Sequence, residues 1–515
     1  MGGEGDAGRD GRDGEDGQMV QSRRVTHWIG GKSWDGEAAR RGPVFDPSTG
    51  EQVAEVDFAT AAEVDRAVEV AAPAQVAWGR TSLAKRAAVL FAFRELLADR
   101  VDELARIVST EHGKVRSDAA GEVARGLEIV DYACGIPELL KAEHSIGVST
   151  DVDAYSFRQP LGVVAGITPF NFPAMVPLWM APLAVACGNA FILKPSERDP
   201  SASVWLAERW ADAGLPEGVF QVVHGDKEAV DAVLEHPGIA AVSFVGSTPV
   251  ARYIYERSAA TGKRVQALGG AKNHLVVLPD ADPDVVADAL VNSAYGSAGE
   301  RCMAVSVAVV VGEGRSALVD RVAERAARLV VGPNDDPDAE MGPLVTRPHL
   351  ERVMGYLTAG EDAGAHLVLD GRDHPHGGGK DGFWLGPTLF DDVTEDMSIY
   401  ADEIFGPVLS VVAAGSLDEA IGLINRNPYG NGAAIFTNDM AAARRFEVEV
   451  EAGMIGINVP IPVPMAYYGF GGWGTSLFGD HDIYGPDGVR FYTRQKKVTA
   501  RPLAHRGSLS FPTNQ

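Results

Sequence analysis

The chain has 515 residues, of which 45% are hydrophobic and 23% charged, proportions that suit a soluble globular protein of two or three domains. A formal net charge of -25 would repel polyanions, which argues against binding DNA or RNA. It leaves small anionic substrates open, because these answer to the local site. The only cysteines are Cys134, Cys187 and Cys302, with no CxxC pair, so they form no disulfide framework and fit a reducing, cytoplasmic setting.

Residues 1–23 are rich in glycine and charge and are expected to be disordered, with Met19 as a second possible start. They lack the apolar core of a signal peptide. Their Gly3-Glu4-Gly5-Asp6-Ala7-Gly8 matches GxGxxG only formally, since no strand precedes it and its two carboxylates would repel a pyrophosphate. Order is expected to begin near His27, followed by helices over 62–72, 83–100 and 101–111, the last continuing toward Ala133. The most apolar run, 176–193, contains Pro177, Pro182, Gly188 and Asn189 and reads as a buried helix rather than a membrane span. Apolar strands at 163–167, 191–194, 220–223 and 241–245 alternate with helices at 202–213 and 227–235. That alternation implies a parallel sheet covered on both faces. It resumes with strands at 305–311, 365–369 and 408–412 and helices at 316–330, 347–359 and 417–425, so a second α/β domain is expected after residue 280. His374 and His376 are the only close histidine pair and lie in a glycine-rich turn, so no metal site is expected.

Several short segments carry chemistry. Asn171, in Ile167-Thr168-Pro169-Phe170-Asn171-Phe172-Pro173, offers an amide donor suited to an oxyanion. Lys194 and Glu197, in Lys194-Pro195-Ser196-Glu197, follow a strand end, where α/β folds place nucleotides. Gly246-Ser247 opens a helix whose N-terminus can face a pyrophosphate. Cys302, in Gly299-Glu300-Arg301-Cys302-Met303-Ala304, is a candidate nucleophile, active as the thiolate, although the residue taken alone would favour a buried, inert cysteine. Cys134 and Cys187 sit in apolar helical patterns and read as inert.

Together with Glu403-Ile404-Phe405-Gly406-Pro407-Val408, these segments, in this order across residues 25–500, resemble the aldehyde dehydrogenase superfamily. The resemblance implies an α/β aldehyde dehydrogenase fold: a Rossmann-like cofactor domain (24–144 and 159–279), an α/β catalytic domain (280–465), and a small oligomerisation arm (145–158 and 485–500). It leaves 501–515 as an extension without a role. A strand over 489–500 would pair with the arm and make a homo-oligomer, a dimer or tetramer. The resemblance further implies that Cys302 attacks an aldehyde and that Asn171 stabilises the oxyanion. Lys194 and Glu197 would bind the adenosine ribose, favouring NAD over NADP, with Arg198 beside them as a group that could meet a phosphate. Glu403, with Phe405, would hold the nicotinamide ribose, and Thr168, Phe170 and Gly269 match further cofactor contacts.

One departure narrows the reaction. Hydrolytic members carry a water-activating Glu before a Gly-Gly pair, whereas here the run is Gln266-Ala267-Leu268-Gly269-Gly270-Ala271-Lys272-Asn273-His274. Neither Ala267 nor Leu268 can accept a proton, and a lost general base costs roughly 10²- to 10⁴-fold. Such a chain would either be inactive or use a better acceptor than water, such as the thiol of coenzyme A. This run, with Arg301-Cys302-Met303-Ala304, Val459-Pro460-Ile461-Pro462-Val463-Pro464, Asn427-Pro428-Tyr429-Gly430-Asn431-Gly432 and Phe491-Tyr492-Thr493, resembles the CoA-acylating methylmalonate-semialdehyde dehydrogenases. These enzymes serve valine and myo-inositol breakdown. Such a semialdehyde carries a carboxylate, for which Arg125 and Arg301 are the candidate ligands. For Arg125 the alternative is an ion pair with Glu122 or Glu128, for Arg301 a structural role in its loop. The competing functions are a CoA-independent aldehyde dehydrogenase and a noncatalytic protein on the same fold.

Overall fold

Strands of five residues that are apolar throughout can be buried only between two helix layers. The computed structural model, which describes residues 23–501, contains two sheets that each include such a strand, Val163–Ile167 in one and Gly432–Phe436 in the other. The expected disordered segment lies outside the described residues except for Arg23, which already belongs to the strand Arg23–Val25. The C-terminal extension after Arg501 also lies outside them.

The first sheet has eight strands. At its centre Val163–Ile167, Ala190–Lys194, Ile239–Val245 and Arg264–Leu268 run parallel, and the first two are buried at every residue. Its edges are antiparallel: Trp28–Ile29 beside Phe220–Val222, and Leu477–Phe478 beside Arg264–Leu268. The second sheet has seven strands, with Asn273–Val277, Val305–Val311, Val408–Ala414 and Gly432–Phe436 parallel and central. A three-stranded sheet stands apart, joining Glu143–Ser149 and Val152–Pro160 to Thr493–Ala500.

Three boundaries differ from expectation. The chain changes sheet between Leu268 and Asn273, not at 280, because Asn273–Val277 is already a central strand of the second sheet. Residues 489–491 are helical: Pro486 starts the helix Gly485–Phe491, which buries Val489 and Phe491, and the strand begins only at Thr493. The helix Arg315–Ala326 stops short of 330, because the Val330 carbonyl and Val331 pair with Glu340 and Met341. Among the described residues, no helix is long and apolar enough to cross a membrane. The carboxyl ends of the parallel strands of the first sheet meet at one edge, which faces the loop 296–304 that leads into the second sheet.

Candidate active site

A cavity of about 690 Å³ opens at that edge. Thr168, Phe170 and Asn171 line it from the end of Val163–Ile167, and Lys194, Glu197 and Arg198 from the end of Ala190–Lys194. Gly246, Ser247 and Gly269 contribute from the next two strand ends, and Cys302, Glu403 and Phe405 close the far wall. The expected catalytic and cofactor residues thus converge on one space. Two features fit a dinucleotide there. The helix Thr248–Ala260 has no side-chain cap, so its first N–H groups are open to a phosphate. The Thr168 hydroxyl is buried with no hydrogen-bond partner. At the inner end Lys194 donates to the Gly225 carbonyl (2.8 Å) and stands 3.5 Å from Glu197, while Arg198 lies over the Phe170 ring, 4.8 Å from its centroid.

Cys302 follows a turn in which Ser297, Ala298 and Gly299 all have positive φ (52°, 51° and 71°). For the two non-glycine residues this conformation costs about 1–2 kcal/mol each. Gly299 is required, since a Cβ there would collide with the Gly406 carbonyl. Asp118, in the first turn of the helix Arg116–Cys134, clamps this turn: its carboxylate accepts from the Ser297 N–H (2.9 Å) and from Arg301 Nη2 (2.6 Å). Beyond the nucleophile, the amides of Asn273 and Asn431 both donate to the Cys302 carbonyl, at 2.9 and 3.0 Å. Burial, with Glu403 nearby adding to it, pushes the Cys302 thiol up to about 12, against the pull of the neighbouring N–H groups and Arg301. Cys134 and Cys187 are buried, and burial drives their thiols up to about 11 and 12.

Asn171 is held from behind. Lys114 and Glu122 form a buried ion pair of 2.8 Å; Lys114 also donates to the Asn171 carbonyl (2.6 Å), and Glu122 accepts from the N–H groups of Ala174 and Met175. The Asn171 side-chain amide has no protein partner among the described residues and lines the cavity with Cys302. Ala267 and Leu268 are buried in their strand, so no carboxylate stands at the expected base position.

The carboxylate that shares both this cavity and a smaller one with Cys302 is Glu403. It accepts from the Ala271 N–H (2.8 Å), and its Oε2 lies where a Cβ at Gly270 would collide with it. Burial pushes its carboxyl up to about 7, opposed by the Ala271 N–H, Lys272 and Arg352. Arg352 donates to the Glu403 carbonyl (2.6 Å), and His349 to that of Phe405 (2.7 Å), whose φ is 61°. His349 stands 3.4 Å from Glu300, a fully buried carboxyl that burial pushes up to about 8.

The two arginines do not line the large cavity. Arg301 borders a small one beside Cys302 and is held by Asp118 through Nη2, while its other N–H groups have no partner among the described residues. Arg125 donates to both Glu128 oxygens and to the Val463 and Pro464 carbonyls, so the ion pair with Glu128 is present. Sequence reasoning missed Asp118, Lys114, His349 and Arg352, and named Glu122 only as a possible partner of Arg125, whereas it pairs with Lys114. No local signal marks the Lys114–Glu122 pair, since Lys114 stands between two helices in the charged run 111–122 and its burial is set by the fold.

The aldehyde dehydrogenase family profile matches residues 34–498. A malonate-semialdehyde dehydrogenase of Pseudomonas aeruginosa is 56% identical over 463 residues, covering 90% of this chain and 93% of the relative. A methylmalonate-semialdehyde dehydrogenase structure from Oceanimonas doudoroffii superposes with a TM-score of 0.93 at 52% identity, covering 94% of this chain and 99% of that one. A structure from Sinorhizobium meliloti, given provisionally as a methylmalonate-semialdehyde dehydrogenase and complexed with NAD, has a TM-score of 0.93 at 51% identity, covering 95% and 99%.

Proposed function

The chain belongs to the aldehyde dehydrogenase family, and from that premise we propose that it is an NAD-dependent, CoA-acylating semialdehyde dehydrogenase. It oxidises malonate or methylmalonate semialdehyde, with loss of CO₂, to acetyl-CoA or propionyl-CoA. Cys302 adds to the aldehyde carbon, and the Asn171 amide with the Cys302 N–H stabilises the oxyanion, at about 3 kcal/mol per donor. Bound NAD would accept the hydride, leaving a thioester on Cys302. Lys194, Glu197, Thr168 and the open N-terminus at Gly246–Ser247 would hold the adenosine ribose and pyrophosphate. Glu403 and Phe405 would hold the nicotinamide end. Arg301, anchored by Asp118 with N–H groups to spare, and Arg125 are the candidate ligands of the substrate carboxylate.

The observation that carries the CoA-acylating reading is the occupied nucleophile position beside an empty water-base position, Ala267 and Leu268 being buried and apolar. The relatives named for the same two semialdehydes support the substrate. The test follows NADH from both semialdehydes with and without CoA. A burst near one equivalent per site without CoA, and sustained turnover yielding acyl-CoA with it, is expected. Rapid sustained turnover to free acid with no thiol present would overturn the reading.

The body on the eight-stranded sheet is the cofactor domain in this reading, and the body on the seven-stranded sheet the catalytic one. Three unbridged cysteines support a cytoplasmic location. The strand Glu143–Ser149, exposed at every residue and with Ile146 82% exposed, supports a homo-oligomer built through it.

A further inference from the structure

The reading above leaves the acyl acceptor without a base. A thiol attacks a thioester as the thiolate, and free thiols ionise near 8.5, so at neutral pH something must take the acceptor's proton. Ala267 and Leu268 cannot. Three acids line the cavity with Cys302, namely Glu197, Asp226 and Glu403, and of these only Glu403 also borders a second, small cavity with it. Only the Oε1 of Glu403 is engaged, by the Ala271 N–H; Oε2 has no hydrogen-bond partner among the described residues. The second cavity, of about 20 Å³, is also bordered by Ala271, Asn273 and Phe405 and is room for about one water.

Resting on the CoA-acylating reading, we propose that Glu403 is the general base for the acyl acceptor, taking the thiol proton directly or through one water in the small cavity. The atoms balance without any further reactant. The acceptor S–H bond breaks and its proton goes to Glu403. The thiolate sulfur bonds to the acyl carbon, and the resulting oxyanion faces the Asn171 amide. Its collapse breaks the bond to Cys302 Sγ, and the expelled thiolate takes the proton from Glu403, so that acyl-enzyme and thiol become free enzyme and acyl-CoA. The environment narrows the gap for the first transfer and drives the second. A carboxyl pushed up to about 7 is close to an ordinary thiol, whereas the Cys302 thiol is pushed up to about 12, so the proton ends on the cysteine. The charged and titratable groups facing Glu403 are Lys272, Arg352, Tyr429, Asp402 and Cys302.

The test avoids NAD, because Glu403 is also the proposed ribose ligand. Cys302 is acylated with p-nitrophenyl acetate, and the release of one equivalent of nitrophenol reports an intact nucleophile. Transfer of the acetyl group to CoA is then timed from pH 5 to 9 for the wild type, Glu403→Gln and Asp402→Asn. Wild-type transfer should rise with pH to a plateau above about 7, as Glu403 loses its proton. Glu403→Gln should still acylate, transfer roughly 10²- to 10⁴-fold more slowly at pH 7, and climb with pH without that plateau. Asp402→Asn, which alters a charge beside the base but not the base itself, should keep the plateau that Glu403→Gln loses. Transfer by Glu403→Gln at the wild-type rate and with the wild-type profile overturns the base assignment and leaves the CoA-acylating reading standing. A wild-type acetyl-enzyme that CoA does not discharge at any pH overturns both.

Discussion

A thiol pushed up to about 12 is a poor nucleophile at rest, so Cys302 depends on what surrounds it when substrate arrives. Cys302→Ala should abolish NADH formation while NAD still binds by calorimetry. Residual turnover above about 1% would be too much for the loss of a nucleophile. Asn171→Ala should leave the thiol in place but remove one oxyanion donor, lowering kcat about 10²- to 10³-fold with little change in NAD affinity. An unchanged kcat would show that the Cys302 N–H suffices. Behind Asn171, the Lys114–Glu122 pair is nearly inaccessible, at 1% and 0% side-chain exposure. Breaking a buried pair by removing one partner strands the other charge, at about 3–5 kcal/mol. Lys114→Met should therefore lower the melting temperature by several degrees as well as disturbing Asn171.

The loop 296–304 is the element on which the site turns. Its left-handed turn is unfavourable on its own and is held by a carboxylate from a distant helix, with Asp118 and Arg301 183 positions apart. Asp118→Ala should release the turn and cut kcat about 10²-fold, as a small displacement of a reacting group does, and change the rate at which iodoacetamide labels Cys302. Asp118→Asn, which keeps an acceptor, should restore part of both. Equal labelling rates in all three proteins would show that the clamp does not position the thiol. The same loop places Glu300 in the interior. A carboxyl raised to about 8 when folded holds its proton where the unfolded chain has lost it, so its contribution to stability is full at acid pH and is lost as pH rises toward 8 and beyond. Melting temperature should therefore fall between about pH 5 and 9. Glu300→Gln, which keeps an acceptor for the Val345 N–H, should fall less steeply.

How far these elements could be read in advance depended on what specified them. Strands such as Val163–Ile167, apolar at every position, announce themselves because both faces must be buried. The Cys302 and Asn171 segments stood out because their short motifs carry the family resemblance, and the fold brings both to one cavity. The change of sheet was hidden, since Arg264–Leu268 and Asn273–Val277 are two short runs of mixed polarity separated only by Gly269-Gly270-Ala271-Lys272, and nothing local says which sheet each will join. Residues 489–491 read as strand because apolar Val489 leads directly into it, and the weight of Pro486 as a helix start was missed. Asp118, Lys114 and Glu122 look like ordinary helix charges until the fold brings them under the catalytic loops.

At the scale of the whole molecule, the strand Glu143–Ser149 is hydrogen-bonded on one side only, by Val152–Pro160, and presents Ile146 and Val148 at 82% and 54% exposure. An open apolar edge of this kind is a surface on which another chain can pair. Substituting both residues with lysine should shift the mass measured by light scattering toward the monomer while leaving the far-ultraviolet dichroism unchanged. A mass that does not move would show that this edge is not the contact of the proposed oligomer.

The same small sheet joins distant stretches of one chain, since Arg158 contacts Thr493, 335 residues further on. At about 5–20 residues per second, a ribosome needs roughly 20–70 s to make the intervening chain. Leu477–Phe478, which completes an edge of the first sheet, also emerges late. During synthesis the first body therefore waits with open strand edges, and this protein's exposure to aggregation is set by the time between translating its middle and its end.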